Sequence, residues 1–439
     1  MSMVTFVIIL FVILLAVLFL GAPIGLGMGC IGVIGVLLFL SPSLLTKLYS
    51  IAYSQSTSIS TLMIPLFILM AEFLSNSNIA GDLFEVISRR LKKLPASLAI
   101  ASVISSAIFS AVCGSAPATA VTLGRISIPA MVKHGYRKSL AAGTQAAGGN
   151  LGILIPPSIN FILYGMITET SIIKLFAAGV LPGIMIAIMM IIYVLVHNKL
   201  DPTLIKIPEQ KQNPIVENSE KKVSLFKDVT TVVPVVALIV AIFGVLYSGI
   251  ATATESAAIG AIGALIIVIA QKRMSKSVLK KTLHGTTSTT CMIMFLMFGG
   301  MTFTMFLTVM GMPQALSDMI LAANPDPWAT LILVVIIFLI LGCFMDPLSI
   351  MLIVLPFVFP FMKSLGFDPV WFGVIVTIAC AIGMITPPVG MNLFVLKGAC
   401  GVPMATIIRG VIPYIVIFIL AIVILCVAPG IATFLPGRI

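Results

Sequence analysis

Four short stretches carry residues that could bind an ion or a small polar solute within an otherwise apolar chain. They are CGSAPATA at 113–120, LIPPSIN at 154–160, MDPLSI at 345–350 and MITPPVG at 384–390. Proline and glycine interrupt the hydrogen bonding of a helix, so carbonyl oxygens beside them are left free. Serine, threonine and asparagine in the same stretches add further oxygen ligands. The four stretches therefore predict broken backbone near the middle of a membrane.

The four stretches form two pairs that repeat along the chain. Pro117 precedes Pro156 by 39 residues, and Pro347 precedes Pro387 by 40 residues. This repetition predicts two related halves, at 1–197 and 229–439. A segment rich in Lys, Glu, Gln, Asn and Pro, at 198–228, is predicted to be a cytoplasmic linker between them.

Two explanations remain open for the most polar of these positions. The tip with Gly114, Ser115 and Thr119 could hold an alkali cation, or it could be a packed kink whose carbonyls are met by neighbouring side chains. Asp346 lies in an apolar stretch, where a carboxylate is costly and usually marks an ion or substrate path. It could equally cap a half-helix by accepting hydrogen bonds from free N–H groups.

The paired proline breaks carry polar side chains of their own. Asn150 and Asn160 flank the first break, and Thr386 and Asn392 flank the second. We expect these side chains to face the same polar site as the two tips.

Arg125 follows the first tip by ten residues. An arginine near the membrane centre costs at least ~2.5 kcal/mol unless it is paired. It could bind a substrate carboxylate through two parallel hydrogen bonds. It could also reach the cytoplasmic surface, or pair with an internal acid such as Glu72 or Glu255.

The composition predicts a polytopic membrane protein. Of 439 residues, 60% are hydrophobic and 9% are charged, and the mean hydropathy is +1.22; globular proteins carry about 25% charged residues. The seven cysteines form no CxxC motif and are interpreted as packing residues. The sequence contains no P-loop, GxSxG or HExxH motif, so we predict neither an enzyme nor ATP hydrolysis. The basic residues lie in short clusters between apolar runs, which disfavours nucleic-acid binding.

Apolar runs of about 20 residues predict membrane-spanning helices. The predicted uninterrupted spans are 4–20, 24–40, 59–76, 178–196, 229–247, 254–270, 290–310 and 411–428. Re-entrant hairpins are predicted at 103–131 and 329–362, and discontinuous helices at 139–165 and 370–395. An amphipathic helix is predicted on the membrane surface at 81–95, anchored by its basic residues, and a loop is predicted at 311–327.

The basic residues also predict the orientation. With the N-terminus outside, 20 of the 25 bases fall in cytoplasmic segments and four fall outside. The first helix is interpreted as retained rather than as a signal peptide. The first half then begins outside and the second inside, so the two hairpins enter from opposite faces. This is the inverted-repeat plan of a secondary transporter, whereas a channel would need no such pairing.

Several motifs together resemble the large membrane subunit of the tripartite ATP-independent periplasmic (TRAP) transporters. They are GSAPATA with RISIPAM after it, NLGILIPPSINFILYG, GIATATESAAIGAIGAL, MDPLSIMLIVLP and GMITPPVGMNLFVLKG. The resemblance covers essentially the whole chain. It implies an all-α, elevator-type transporter of a bacterial inner membrane, driven by sodium. It also implies that a soluble periplasmic protein delivers an organic acid, such as sialic acid or a C4-dicarboxylate, and that a small four-helix membrane subunit completes the assembly.

The resemblance also implies the site residues. The sodium ligands carry over to Gly114, Ser115, Thr119, Asn150, Pro156, Met345, Asp346, Ser349, Thr386 and Met391. The substrate would lie near Arg125, Ser158, Asn160 and Thr386. Two alternatives are a stand-alone sodium symporter that needs no binding protein and, from a different class, a channel.

Overall fold

The computed structural model describes residues 20–201, 225–322 and 325–439, with scattered positions between 6 and 17. Part of the predicted span at 4–20 and most of the predicted linker at 198–228 lie outside the described residues. Every regular element in the described ranges is a helix, and seven helices there are long and apolar enough to cross a membrane. The predicted fold class, an all-α polytopic membrane protein, is confirmed.

The two halves contain corresponding helices. Those of the first half are α1 (Ile24–Phe39), α2 (Thr46–Thr57), α3 (Met63–Asn76), α4 (Ile79–Arg90), α5 (Ser97–Cys113), α6 (Ala116–Lys133), α7 (Lys138–Asn150), α8 (Ile159–Thr168) and α9 (Ile172–Leu200). Those of the second half are α10 (Leu225–Tyr247), α11 (Ala253–Ala270), α12 (Lys276–Val309), α13 (Met312–Ala322), α14 (Pro327–Gly342), α15 (Pro347–Ser364), α16 (Pro369–Met384), α17 (Met391–Cys400) and α18 (Met404–Val427). A last short helix, α19 (Gly430–Thr433), follows.

Both predicted hairpins are present. In hairpin 1, α5 and α6 are joined by Gly114, whose φ is +61°, and by Ser115, which is extended. In hairpin 2, α14 and α15 are joined by the turn at 343–346. Proline stands in the first turn of α6 and of α15, where it removes no intrahelical hydrogen bond.

Both predicted discontinuous helices are also present. Break 1, at 151–158, separates α7 from α8, and break 2, at 385–390, separates α16 from α17. Each break contains a cis Pro-Pro bond, Pro156-Pro157 and Pro387-Pro388. The proline pairs seen in the sequence therefore coincide with the two helix interruptions.

Helices α1, α3 and α12 form what we call the frame. In α1, glycines allow close contact with α12: a Cβ on Gly25 would lie 2.9 Å from the Cα of Leu296. Helices α3 and α12 run antiparallel. Asn76 donates a hydrogen bond to Thr282 (3.4 Å), while Glu72, one turn earlier in α3, lies against Gly285, one turn later in α12.

The hairpins follow the frame in opposite directions. The second helix of hairpin 1, α6, runs parallel to α3, because Ser75 is hydrogen-bonded to Thr122 (3.2 Å) and, one turn earlier in each helix, Glu72 and Ala118 line the same cavity. The corresponding helix of hairpin 2, α15, runs parallel to α12. The beginning of α15 shares a cavity with residues 292–296, and Leu352 packs on Gly300. Since α3 and α12 are antiparallel, the two hairpins enter the molecule from opposite sides.

One sequence prediction of secondary structure was wrong. Residues 311–327, predicted as a loop, contain the helix α13, which occupies the same place before hairpin 2 as α4 does before hairpin 1. Pro313 lies in the first turn of α13, where proline is tolerated, so it does not mark a loop. The predicted span at 290–310 lies within α12, which begins at Lys276.

The predicted amphipathic helix at 81–95 is α4, and it ends at Arg90. Its apolar side chains Leu83 and Phe84 are buried within the protein. The prediction that its bases serve as membrane anchors is corrected for Arg89 and Arg90, because both pair with Asp228 at the beginning of α10. The carboxylate of Asp228 is 5% exposed and so is reached mainly by these two guanidinium groups.

A second ion pair holds the other end of α4. Arg273, in the turn between α11 and α12, pairs with Asp82 and donates a hydrogen bond to the carbonyl oxygen of Ser77 (2.9 Å). Helix α4 is therefore fastened at both ends to helices outside hairpin 1.

We expect Asp228→Asn to lower the melting temperature of the detergent-solubilised protein. Losing a buried charge partner costs about 3–5 kcal/mol, but Arg89 and Arg90 are 25% and 46% exposed, so about 2 kcal/mol is expected here. Glu85→Gln is the matched control, since Glu85 bridges the same Arg89 from a side chain that is 67% exposed. Equal melting temperatures for the two variants would contradict this account of α4.

Candidate functional site

A cavity of about 510 Å³ lies between the frame and the two hairpin tips. Its frame wall comes from the beginning of α1 and from α3 and α12. Its opposite wall comes from the tips of both hairpins and from residues beside both helix breaks. The elements that the sequence singled out thus meet in one place.

Besides α1, four helices begin at this cavity. Their first-turn residues in its wall are Pro117 of α6, Asn160 of α8, Pro347 of α15 and Met391 of α17. The N-terminus of a helix carries free N–H groups and a partial positive charge of roughly half a unit. Among the described lining residues there is no Lys, Arg or His. Positive partial charge is therefore offered to the cavity by backbone N–H groups at these helix ends, while Glu72 and Asp346 are acids of its lining.

Asn160 adds a free hydrogen-bond donor to this wall. The side chain lies in the first turn of α8, lines the cavity and is 3% exposed. Its Nδ2 has no hydrogen-bond partner within the described ranges. A buried donor without a partner is costly, so Asn160 is suited to an acceptor that enters the cavity.

Hairpin 1 and break 1 fit together closely. A Cβ on Gly114 would lie 2.5 Å from the carbonyl oxygen of Pro157, and one on Gly152 would lie 2.8 Å from that of Ser115. Behind the tip, Gln145 of α7 accepts hydrogen bonds from Ser102 of α5 (2.7 Å) and Ser127 of α6 (2.9 Å). These contacts join α5, α6 and α7 into one unit.

The predicted sodium ligands of the first half are only partly brought together. Gly114 and Ser115 line the cavity, whereas Thr119, Asn150 and Pro156 lie behind its wall. Thr119 is fully buried, and its hydroxyl has no nitrogen or oxygen partner in the described part of the chain, the Cys113 thiol being its polar neighbour. Of the predicted ligands behind the wall, Thr119 therefore has the side-chain oxygen that is most available to a cation.

Asn150 joins the two halves. Its Nδ2 donates to the carbonyl oxygen of Ala381 (2.5 Å), and its Oδ1 accepts from Nδ2 of Asn392 (2.6 Å). Both asparagines are fully buried. The two discontinuous helices are thus hydrogen-bonded to each other beside their breaks.

In the second half, Asp346 caps α15. Its carboxylate accepts from the backbone N–H of Ser349 (3.1 Å) and from the Ser349 hydroxyl. Of the two explanations open from the sequence, the structure shows the helix cap; the part of Asp346 in ion binding stays a prediction. Asp346, Ser349 and Met391 line the cavity, whereas Met345 is adjacent and outside its lining.

The predicted substrate residues are divided. Asn160 lines the cavity, but the hydroxyls of Ser158 and Thr386 donate to the carbonyl oxygens of Ile153 (2.5 Å) and Ile382 (2.6 Å). Arg125 is exposed and lies outside the cavity lining. Its contact with substrate stays a prediction.

The predicted pairing of Arg125 with an internal acid is absent from this conformation. Glu72 accepts from Asn76 (2.7 Å), and Glu255 forms a capping box with Thr252 at the beginning of α11. Glu72 nevertheless lines the cavity, together with Ser75 and Thr289 of the frame. None of these three residues was predicted at the site from the sequence, although an acid within an apolar run was the signal for Glu72.

Opposed hairpins and discontinuous helices around one cavity define a multi-pass membrane protein built as an inverted-repeat transporter. The YdaH transporter of Alcanivorax borkumensis has a similar fold, with a TM-score of 0.67, 15% identity and coverage of 89% of this chain and 90% of that one. A family model described as "Tripartite ATP-independent periplasmic transporter, DctM component" matches residues 11–431. The chain belongs to this family, the large permeases of TRAP transporters.

Three relatives show the range of the family. The chain is 35% identical to the C4-dicarboxylate TRAP transporter large permease DctM of Pseudomonas aeruginosa, covering 93% of each chain. It is 30% identical to the sialic acid TRAP transporter large permease SiaM of Vibrio cholerae, covering 85% of this chain and 86% of that one. It is also 30% identical to the isethionate TRAP transporter permease DctMQ of Oleidesulfovibrio alaskensis, covering 95% of this chain and 64% of that one.

Proposed function

We propose that this permease imports an organic anion together with sodium. The observation that carries the proposal is the convergence of four helix N-termini on one cavity, beside the free donor of Asn160. Helix N-termini attract anions and supply N–H groups to their oxygens. A substrate carboxylate could accept hydrogen bonds from Asn160 Nδ2 and from the free N–H groups at the helix ends at the same time.

The names of the relatives support an anionic cargo. Dicarboxylate, sialic acid and isethionate, named for three of them, are all organic acids. These relatives share the family and differ in the acid for which they are named, so we propose the class of substrate, and measurement must identify the individual acid.

Sodium coupling is proposed for the oxygen groups around the two tips. Carbonyl oxygens freed at helix interruptions are typical cation ligands in such transporters. The buried Thr119 hydroxyl in hairpin 1 and the Asp346 carboxylate in hairpin 2 are the side-chain oxygens that we expect to take part. A cation bound beside a substrate carboxylate would also offset its negative charge.

An elevator mechanism is proposed for the movement. The Gln145 hydrogen bonds and the Gly114 contact support movement of hairpin 1 and α7 as one body. The ion pairs of α4 with Asp228 and Arg273 support an α4 that stays fixed beside the frame. The segment 91–96 joins the two, and Ala96 in it has a φ of +55°.

The partners follow from the family. We propose that a small four-helix membrane subunit completes the frame and that a soluble periplasmic protein delivers the substrate. The length of DctMQ beyond its match to this chain is consistent with a second membrane subunit in that relative. We place the permease in a bacterial inner membrane with its N-terminus in the periplasm, as the basic residues predict.

Uptake into proteoliposomes tests the proposal. We expect saturable accumulation of a radiolabelled organic acid when an inward sodium gradient, the small subunit and the loaded binding protein are all present. Equal uptake without the binding protein would instead indicate a stand-alone symporter. Flux that does not saturate and ignores sodium would indicate a channel.

We expect Asp346→Asn to raise the sodium concentration needed for half-maximal uptake by roughly tenfold, since one charged ligand is worth on the order of 1–3 kcal/mol. Asp368→Asn is the matched control. Asp368 caps α16 by accepting from the Trp371 N–H (2.7 Å), and it lies outside the cavity lining. An unchanged sodium response in Asp346→Asn would remove this residue from the ion site.

A further inference from the structure

Arg125 lies on the face of α6 that reaches the cavity. Ala118 of the same helix lines the cavity, and Thr122 is hydrogen-bonded to Ser75 of α3. Arg125 is seven residues after Ala118, which is two helical turns and therefore the same face. In the described part of the chain the guanidinium forms no ion pair, and the side chain is exposed.

Glu72 is an acid in the frame without a cationic partner. It lines the cavity, accepts a hydrogen bond from Asn76 (2.7 Å) and lies against Gly285. Within the described ranges, no Lys, Arg or His forms an ion pair with it. An ionised carboxylate within a membrane segment normally pairs with a positive group.

The register of α3 and α6 relates these two residues. The two helices run parallel, with Ser75 opposite Thr122. Glu72 is three residues before Ser75, so it is level with Thr119, which is six residues before Arg125. At 1.5 Å per residue, Arg125 is displaced from Glu72 by roughly 9 Å along the helix.

We propose that Arg125 and Glu72 form an ion pair in the alternate conformation of the transporter. Sliding α6 along α3 by about two turns, toward the Met63 end of α3, brings Arg125 to the depth of Glu72. This inference rests on the alternating movement of the proposed function. It assigns Arg125 a positioning role, distinct from contact with the substrate.

The ion pair would stabilise the alternate conformation. As hairpin 1 moves, Arg125 enters the apolar zone. Glu72 is the acid of the frame wall with which Arg125 pairs there. Before the movement Glu72 borders the hairpin tip, and after it Glu72 is covered by Arg125. The two charges therefore favour one discrete end point over a continuous slide.

Charge reversal in the complete transporter tests the pair. We expect Glu72→Arg and Arg125→Glu each to reduce uptake by roughly tenfold or more, as typical coupling energies imply. We expect the double variant to recover uptake to within about threefold of the unmodified protein, because opposite charges are restored. Lys133→Glu, a reversal further along α6, is the control and should leave uptake unchanged. A double variant no better than the singles would overturn the pair.

Arg125→Lys separates the two roles of Arg125. A lysine retains an ion pair with Glu72, so most uptake should remain, whereas bidentate binding of a substrate carboxylate would be lost. A collapse of uptake in Arg125→Lys, together with no rescue in the double reversal, would assign Arg125 to the substrate instead.

Cross-linking tests the movement itself. In a variant whose seven native cysteines are replaced by serine or alanine, Glu72→Cys is combined with either Ala118→Cys or Arg125→Cys. We expect a short bifunctional thiol reagent to link the first pair in this conformation and the second pair in the alternate one. If only the Glu72→Cys and Ala118→Cys pair is linked, and the cysteine-free variant transports, the proposed ion pair is overturned. The proposed transport function is not affected by that result. Loss of uptake in the unmodified protein would instead reject the proposed function.

Discussion

Gly114→Ala is expected to abolish uptake. The backbone of Gly114 has a φ of +61°, which a residue with a side chain seldom adopts. The added Cβ would also lie 2.5 Å from the carbonyl oxygen of Pro157, an atom held in break 1. Relief requires the tip of hairpin 1 to move away from the break, and both elements line the cavity. We therefore expect uptake to fall by about 100-fold or more, since a displacement of about 1 Å in a binding site can have that effect.

Gly398→Ala is the matched control for this change. Gly398 lies in α17, and a Cβ there would meet no atom within 4 Å. We expect the control to keep its uptake and its melting temperature. Circular dichroism and size-exclusion chromatography in detergent would establish that Gly114→Ala still folds. Normal uptake in that variant would show that the tip need not contact the break.

Asn150→Leu is expected to have the second largest effect. It removes the donor to Ala381 O and the acceptor for Asn392 Nδ2, so two buried polar groups each lose a hydrogen bond, and Asn392 Nδ2 keeps only a longer one to Ala146 O (3.4 Å). Each such group costs about 1–3 kcal/mol, so a loss of roughly 3 kcal/mol is expected. The contact between the two discontinuous helices would be lost with it. We expect a lower melting temperature and little uptake.

Asn198→Leu is a suitable control, because Asn198 is only half-buried near the end of α9. If Asn150→Leu melted and transported like the control, the asparagine pair would have no part in joining the halves.

The positions of the two helix breaks could be predicted from proline residues in the sequence, and not from its hydrophobicity. The doubled prolines at 156–157 and 387–388 marked both breaks because proline cannot donate within a helix. The same rule was misleading at Pro313, because position within a helix decides what proline does. Helix α13 was missed for that reason.

The sequence predicted which residue types occur at the site, but not which of their polar groups are free to bind a ligand. Asn160, Gly114 and Asp346 were selected by residue type, and all three line the cavity. Thr386 and Ser158 were selected by the same reasoning, yet both hydroxyls donate to carbonyl oxygens near them. Local hydrogen bonding competes with ligand binding, and only the folded structure shows which of the two interactions a hydroxyl makes.

The amino-acid sequence by itself determined that this is a membrane protein, that it is built twice, and where its helices break. Those properties follow from composition and from the backbone limits of proline and glycine, which act over a few residues. Only the tertiary structure decided that Asn150 bonds to Asn392 across the halves, and that Arg125 lies outside the cavity while Glu72 lines it. These facts depend on which helix faces are brought together from distant parts of the chain, and packing of whole helices sets that choice.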